Sequence, residues 1–160
     1  MYPWPSAAAR VRSEMESMSH EGIRLVSAEE TQHESAPLPR EAVTPVKVRV
    51  QQTSGQGLEI DWQDGHRSHW NFAWLRNACP CATCHEEREA EGREPGVPKQ
   101  QAPGLLPMYK APARPESSQP VGNYAISFKW NDGHATGIYS WDYLRRHCQC
   151  DACRAERQKG

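Results

Sequence analysis

All six cysteines of this chain fall into two triplets with one spacing, C-x-C-x-x-C: Cys79, Cys81, Cys84 and Cys148, Cys150, Cys153. Few features restrict a fold more. Thiols at i, i+2 and i+5 diverge around a regular helix and cannot share a face. They converge if the chain turns at the first two and a helix starts after the second. The free N–H groups and positive end of that helix then favour thiolate. Three converged thiolates leave one corner of a tetrahedral ion open, and zinc takes a Cys3His set readily, with Zn–S near ~2.3 Å. Iron, or an iron–sulfur cluster held singly or shared between two open triplets, competes with zinc. A nearby histidine favours zinc.

A disulfide framework is the weaker reading. Residues 1–44 contain no secretory apolar region, since Ala7-Ala8-Ala9 is followed at once by Arg10 and Arg12. Glu14, Glu16 and Glu21 argue against an acid-poor transit peptide. A cytoplasmic, reducing compartment is expected, where clustered cysteines are metal ligands or redox groups.

The triplets close two longer stretches that match each other. One reads Trp62-Gln63-Asp64-Gly65-His66, the other Trp130-Asn131-Asp132-Gly133-His134. Each continues through an aromatic (Trp70, Tyr139), a small polar residue (Asn71, Ser140), Leu-Arg (Leu75-Arg76, Leu144-Arg145), the triplet, and Glu-Arg (Glu87-Arg88, Glu156-Arg157). The match reads as an internal duplication. Residues 46–50 alternate apolar and polar, as do Leu58, Ile60, Trp62 and Ile126, Phe128, Trp130. Asp-Gly after each of the latter two signals a hairpin. A two-residue Asp132-Gly133 turn would pair Trp130 with Ala135 and Phe128 with Gly137, leaving His134 on the face away from the core. Asn71 and Ser140 are N-caps for helices over 72–77 and 141–147. Second helices start near Ala82 and Asp151, with Gly92 a stop for the first. The fold class is α+β: antiparallel hairpins, each followed by a broken helix.

Residues 1–44 show no helical or strand period beyond a short stretch over 10–18, and read as a disordered tail. Seven of the 13 prolines fall between Gly92 and Gly122, which reads as a long loop inserted into a 45–160 domain. Within it Leu105, Leu106, Met108 and Tyr109 are expected to cover the core edge. Trp62, Trp70, Trp74, Trp130 and Trp141 are expected in the core, because a small domain with two phenylalanines needs them there. His85 follows Cys84, but Arg154 holds the matching place, so His85 ranks lower as a ligand. His20, His33, His69 and His147 are given no role.

Whole function classes drop out. A net charge of -1 leaves no basic surplus for phosphates, so no nucleic acid partner is expected. No apolar run approaches the ~20 residues that span a bilayer. The sequence contains no P-loop, no G-x-S-x-G and no H-E-x-x-H. No complete active site can be assembled.

Trp62-x-Asp64-Gly65, Leu75-Arg76-Asn77-Ala78-Cys79-Pro80-Cys81-Ala82-x-Cys84, Gly122-Asn123-Tyr124-Ala125-Ile126 and Trp130-x-Asp132-Gly133-His134-x-x-Gly137-Ile138-Tyr139-Ser140-Trp141-x-Tyr143-Leu144-Arg145 together resemble the gamma-butyrobetaine hydroxylase-like N-terminal domain, also known as DUF971, over about 45–147. The resemblance implies a zinc ion held by Cys79, Cys81, Cys84 and His134. Pseudo-two-fold symmetry maps that set onto Cys148, Cys150, Cys153 and His66. In carnitine-pathway hydroxylases such a domain precedes an iron- and 2-oxoglutarate-dependent oxygenase barrel and aids dimerisation. These 160 residues hold no such barrel, so hydroxylase activity is not expected. A similar domain is appended to some P-loop iron–sulfur carriers. The expectation is a stand-alone zinc module, not an enzyme, that serves a protein partner or a homodimer. An iron–sulfur assembly or carrier protein is the alternative, and an accessory domain of a 2-oxoglutarate-dependent oxidoreductase the third reading.

Overall fold

Strand β2 (Gly57–Trp62) shows how the sequence pattern becomes structure. Leu58, Ile60 and Trp62 turn inward and are buried, while Glu59 and Asp61 face out. On that outer face Arg49 reaches Asp61 at 2.7 Å and Arg67 reaches it at 2.6 Å, a cross-strand charge ladder. β2 is the centre of an antiparallel sheet in the order β1 (Pro45–Gln51), β2, β3 (Arg67–Trp70). Two helices follow, α1 (Phe72–Asn77) and α2 (Ala82–Ala90).

The computed structural model describes residues 36–100, 104, 109 and 111–159. Its second half has the same order: a sheet β4 (Pro115–Val121), β5 (Ala125–Trp130), β6 (Ile138–Ser140), then α3 (Trp141–Arg146) and α4 (Asp151–Arg157). Asn71 and Ser140 cap α1 and α3 by accepting from the Trp74 and Tyr143 N–H groups. Arg88, almost fully buried, donates to the Cys79 carbonyl at 2.7 Å, and Arg157 donates to the Cys148 carbonyl at 2.7 Å. The repeated Glu-Arg thus ties the second helix of each half to the knuckle before it. Among the described residues no helix is long and apolar enough to cross a membrane.

The two sheets share one core. Trp70, Phe72 and Leu75 pack in a single cluster with Phe128, Trp130, Tyr139 and Leu144. Phe72 meets Trp130 edge-on, with ring centroids 6.4 Å apart. Trp62, Trp70 and Trp130 are buried and Trp74 and Trp141 partly so, as expected for core packing. Polar tips cross between the halves. The Tyr139 hydroxyl donates to the Leu75 carbonyl at 2.9 Å, and Trp70 Nε1 donates to the His147 carbonyl at 2.9 Å.

Several expectations are corrected. The Pro-rich stretch is not loop throughout, because its end forms β4. Prolines 115 and 120 are tolerated there because β4 is an edge strand. The edge strands β1 and β4 even carry the same register break, after Pro45 and after Pro115. The domain also starts earlier than residue 45: Leu38–Gly160 is one compact unit, and a 3-10 turn at Arg40–Val43 buries Ala42. The expected disorder and helix within 1–35 lie outside the described residues, as do Leu105, Leu106 and Met108. Tyr109 is 89% exposed and covers no core. Finally, the hairpin loops have three residues, not two. Trp130 N–H bonds to the His134 carbonyl at 2.8 Å, not to Ala135, and Gly133 N–H turns back to the Trp130 carbonyl. Gly133, at φ +83, takes the left-handed position this loop demands. One extra residue before β6 then restores the register, so that Ile126 faces Tyr139.

Replacing Tyr139 by Phe orphans the buried Leu75 carbonyl at the seam between the halves. Urea unfolding should register a loss of about 1–3 kcal/mol.

Candidate metal centre

The chain turns sharply after each first helix, and that turn carries the cysteines. Cys81 and Cys150 are the N-cap residues of α2 and α4, each in extended conformation, so the third cysteine lies in the first helical turn. Cys150 Sγ accepts from the Cys153 N–H at 3.4 Å. The three sulfurs of each triplet therefore do converge.

The fourth group comes from the opposite half. His134 Nε2 lies 3.1, 3.5 and 3.8 Å from the sulfurs of Cys79, Cys81 and Cys84. His66 Nε2 lies 3.2, 3.6 and 3.8 Å from those of Cys148, Cys150 and Cys153. In both groups the four donor atoms are all within 4.8 Å of one another. Each histidine is aimed by its own turn: the Asp64 and Asp132 carboxylates accept the backbone N–H of His66 and His134 at 2.9 and 3.1 Å. The three-residue loop seats His134 directly opposite Trp130, so strand alternation does not by itself aim its ring.

The donor set fits a metal ion. Three sulfurs and one imidazole nitrogen are the ligands of closed tetrahedral sites. Burial pushes the Cys79 thiol up to about 12 and Cys153 up to about 11. Burial also raises Cys84. At Cys81 burial is outweighed by hydrogen bonds from the Cys84 N–H and the Thr136 hydroxyl, and the thiol is lowered. Burial lowers both His66 and His134, which favours the neutral imidazole a metal needs.

His85 lies outside both groups, exposed and near Glu89. His69 is exposed. His147 is held by its Nδ1 at 2.8 Å from the Tyr143 carbonyl and stacks on that ring, so its part is packing. His20 and His33 lie outside the described residues. The contacts that sequence reasoning missed are Arg76 to Cys84 Sγ at 3.6 Å, Arg145 to Cys153 Sγ at 3.5 Å, and Ser68 to Cys148 Sγ at 3.0 Å. The repeated Leu-Arg was the available signal for the first two.

The profile of the family described as "Gamma-butyrobetaine hydroxylase-like, N-terminal" matches residues 48–145. The chain belongs to that family. One similar protein is a gamma-butyrobetaine dioxygenase of Pseudomonas sp. (strain AK-1), 29% identical over 107 residues, which are 64% of this chain and 24% of that protein. This family member thus spans about a quarter of the length of the dioxygenase it resembles. A crystal structure of a DUF971 family protein of unknown function from Acidithiobacillus ferrooxidans ATCC 23270 is 31% identical, covers 68% of this chain and 96% of its own, and gives a TM-score of 0.46. An NMR solution structure is 23% identical, covers 78% of this chain and 89% of its own, with a TM-score of 0.44.

Gly137 lies against the first cluster. A Cβ there would meet Cys79 Sγ at 2.6 Å. Gly137→Ala should therefore weaken metal uptake by Cys79, Cys81, Cys84 and His134 and spare the other cluster, as chelator competition on Gly137→Ala, alone and combined with His66→Ala to leave only the first cluster, would read out.

Proposed function

We propose that this protein is an internally duplicated, non-enzymatic module that binds two zinc ions, one per Cys3His cluster, as cross-links between its halves. The observation that carries the reading is the exchange of ligands: each ion would join the cysteine knuckle of one half to the histidine turn of the other. A set of four protein donors leaves no position for water or substrate, which favours a structural ion over a catalytic one. The surface so stabilised would serve a protein partner or a second copy of the chain. A reducing compartment such as the cytoplasm keeps the thiols available.

Crowding of the donors supports a single ion over a cluster. A tetrahedron with bonds of ~2.3 Å has edges of about 3.8 Å, and the nitrogen–sulfur separations of 3.1 to 3.8 Å match that size. In an iron–sulfur cube each thiolate caps a separate iron, so its sulfurs stand farther apart. Mononuclear iron would use the same donors. An accessory role beside an oxygenase barrel is the second reading, favoured by the match to part of a dioxygenase.

Elemental analysis of protein purified with and without oxygen tests the proposal. Two zinc ions per chain are expected, with one lost in His66→Ala and one in His134→Ala. Absence of tightly held metal, or the broad visible absorption of an iron–sulfur cluster, would overturn it. Because metal binding is coupled to folding, chelation or Cys81→Ser should cost several kcal/mol and leave much of the chain unfolded or aggregating. Far-UV circular dichroism before and after chelation is the measurement.

A further inference from the structure

Arg76 lies in the last turn of α1 and Asp132 stands two residues before His134. Arg76 Nη1 lies 3.6 Å from Cys84 Sγ, and its Nε donates to Asp132 Oδ2 at 2.8 Å. The other oxygen of that carboxylate accepts the His134 N–H at 3.1 Å. One hydrogen-bonded chain therefore leads from a thiol of the cluster to the histidine of the same cluster. The second cluster has the same chain. Arg145 donates to Cys153 Sγ at 3.5 Å and to Asp64 Oδ2 at 2.9 Å, and Asp64 Oδ1 accepts the His66 N–H at 2.9 Å. In both, cysteine and arginine come from one half, aspartate and histidine from the other.

Three thiolates, one divalent ion and a neutral imidazole sum to one negative charge. A guanidinium shared between one of the sulfurs and the aspartate offsets part of it, and this group cannot escape by losing a proton. A rim ion pair would need only the arginine and the carboxylate. Here the arginine also touches sulfur, and the carboxylate also holds the turn that aims the ligand. With side chains 24% and 15% exposed, the two arginines are screened less than surface charges.

We propose that Arg76–Asp132 and Arg145–Asp64 are crossed clamps, each of which positions the histidine and balances the charge of one metal cluster. The inference rests on the metal reading above. Each clamp acts on its own ion. Arg76→Gln should weaken one of the two zinc ions about ten- to a hundredfold and leave the other unchanged, and Arg145→Gln should do the converse. Arg76→Lys, which restores the charge without the fork, should recover part of the loss. Asp132→Asn keeps an acceptor for the His134 N–H and should lose less than Arg76→Gln.

The experiment is zinc competition against a chromophoric chelator on the full chain, with cobalt(II) spectra and melting of the metal-free protein alongside. In Arg76→Gln the sulfur-to-cobalt charge-transfer band of one site should move, which loss of a merely structural ion pair would not cause. If Arg76→Gln melts early when metal-free, Asp132→Asn and Arg76→Lys carry the comparison. Two zinc ions in the parent chain with unchanged affinity and cobalt spectrum in the variants would overturn the clamp and leave the metal reading intact. A parent chain that binds no zinc would overturn both.

Discussion

The structure turns on an exchange: the cysteines of each half meet the histidine of the other. A knuckle that closed on its own hairpin would stabilise that hairpin alone. Crossed closure brings together residues far apart in sequence, 55 positions for Cys79 and His134 and 82 for Cys148 and His66. Links over such separations restrict the unfolded chain most in principle. The shared core points the same way. Tyr139 and Trp70 send their polar tips across the same seam, so neither half is complete without the other.

Local rules account for how much of this was legible beforehand. Asn71 and Ser140 cap helices because a side-chain oxygen there satisfies an N–H the helix cannot. The alternation of Leu58, Ile60 and Trp62 reports a sheet with one buried face. Three cysteines at one spacing, twice, announce thiols that converge. Each of these signals is contained in a handful of adjacent residues.

What stayed hidden depends on distant neighbours or on competition between two local signals. β4 contains Pro115 and Pro120, and proline outvotes strand in any local reading. Only the knowledge that β4 lies at a sheet edge, beside β5, removes the objection. The Asp-Gly pairs signalled turns correctly, but their glycines fill the third loop position, which shifts the partner of Trp130 by one residue. Arg76 and Arg145 repeat in sequence, yet nothing local says that they meet a sulfur on one side and a carboxylate of the other half on the opposite side.

The two halves are close to equivalent, and the place where equivalence fails is informative. Trp62 Nε1 donates to the Ser68 hydroxyl at 2.8 Å, and that hydroxyl donates to Cys148 Sγ at 3.0 Å. At the corresponding place in the other half stands Gly137, too close to Cys79 Sγ to accept a Cβ. Trp130, the counterpart of Trp62, consequently keeps its Nε1 buried with no hydrogen-bond partner among the described residues. An orphaned donor of this kind costs about 1–3 kcal/mol. The fold bears that cost while the four donor atoms of both clusters stay equally close. The packing around each buried sulfur differs, and the ligand geometry does not. That ordering of constraints is what a chain built around its two Cys3His groups, more than around its tryptophans, would exhibit.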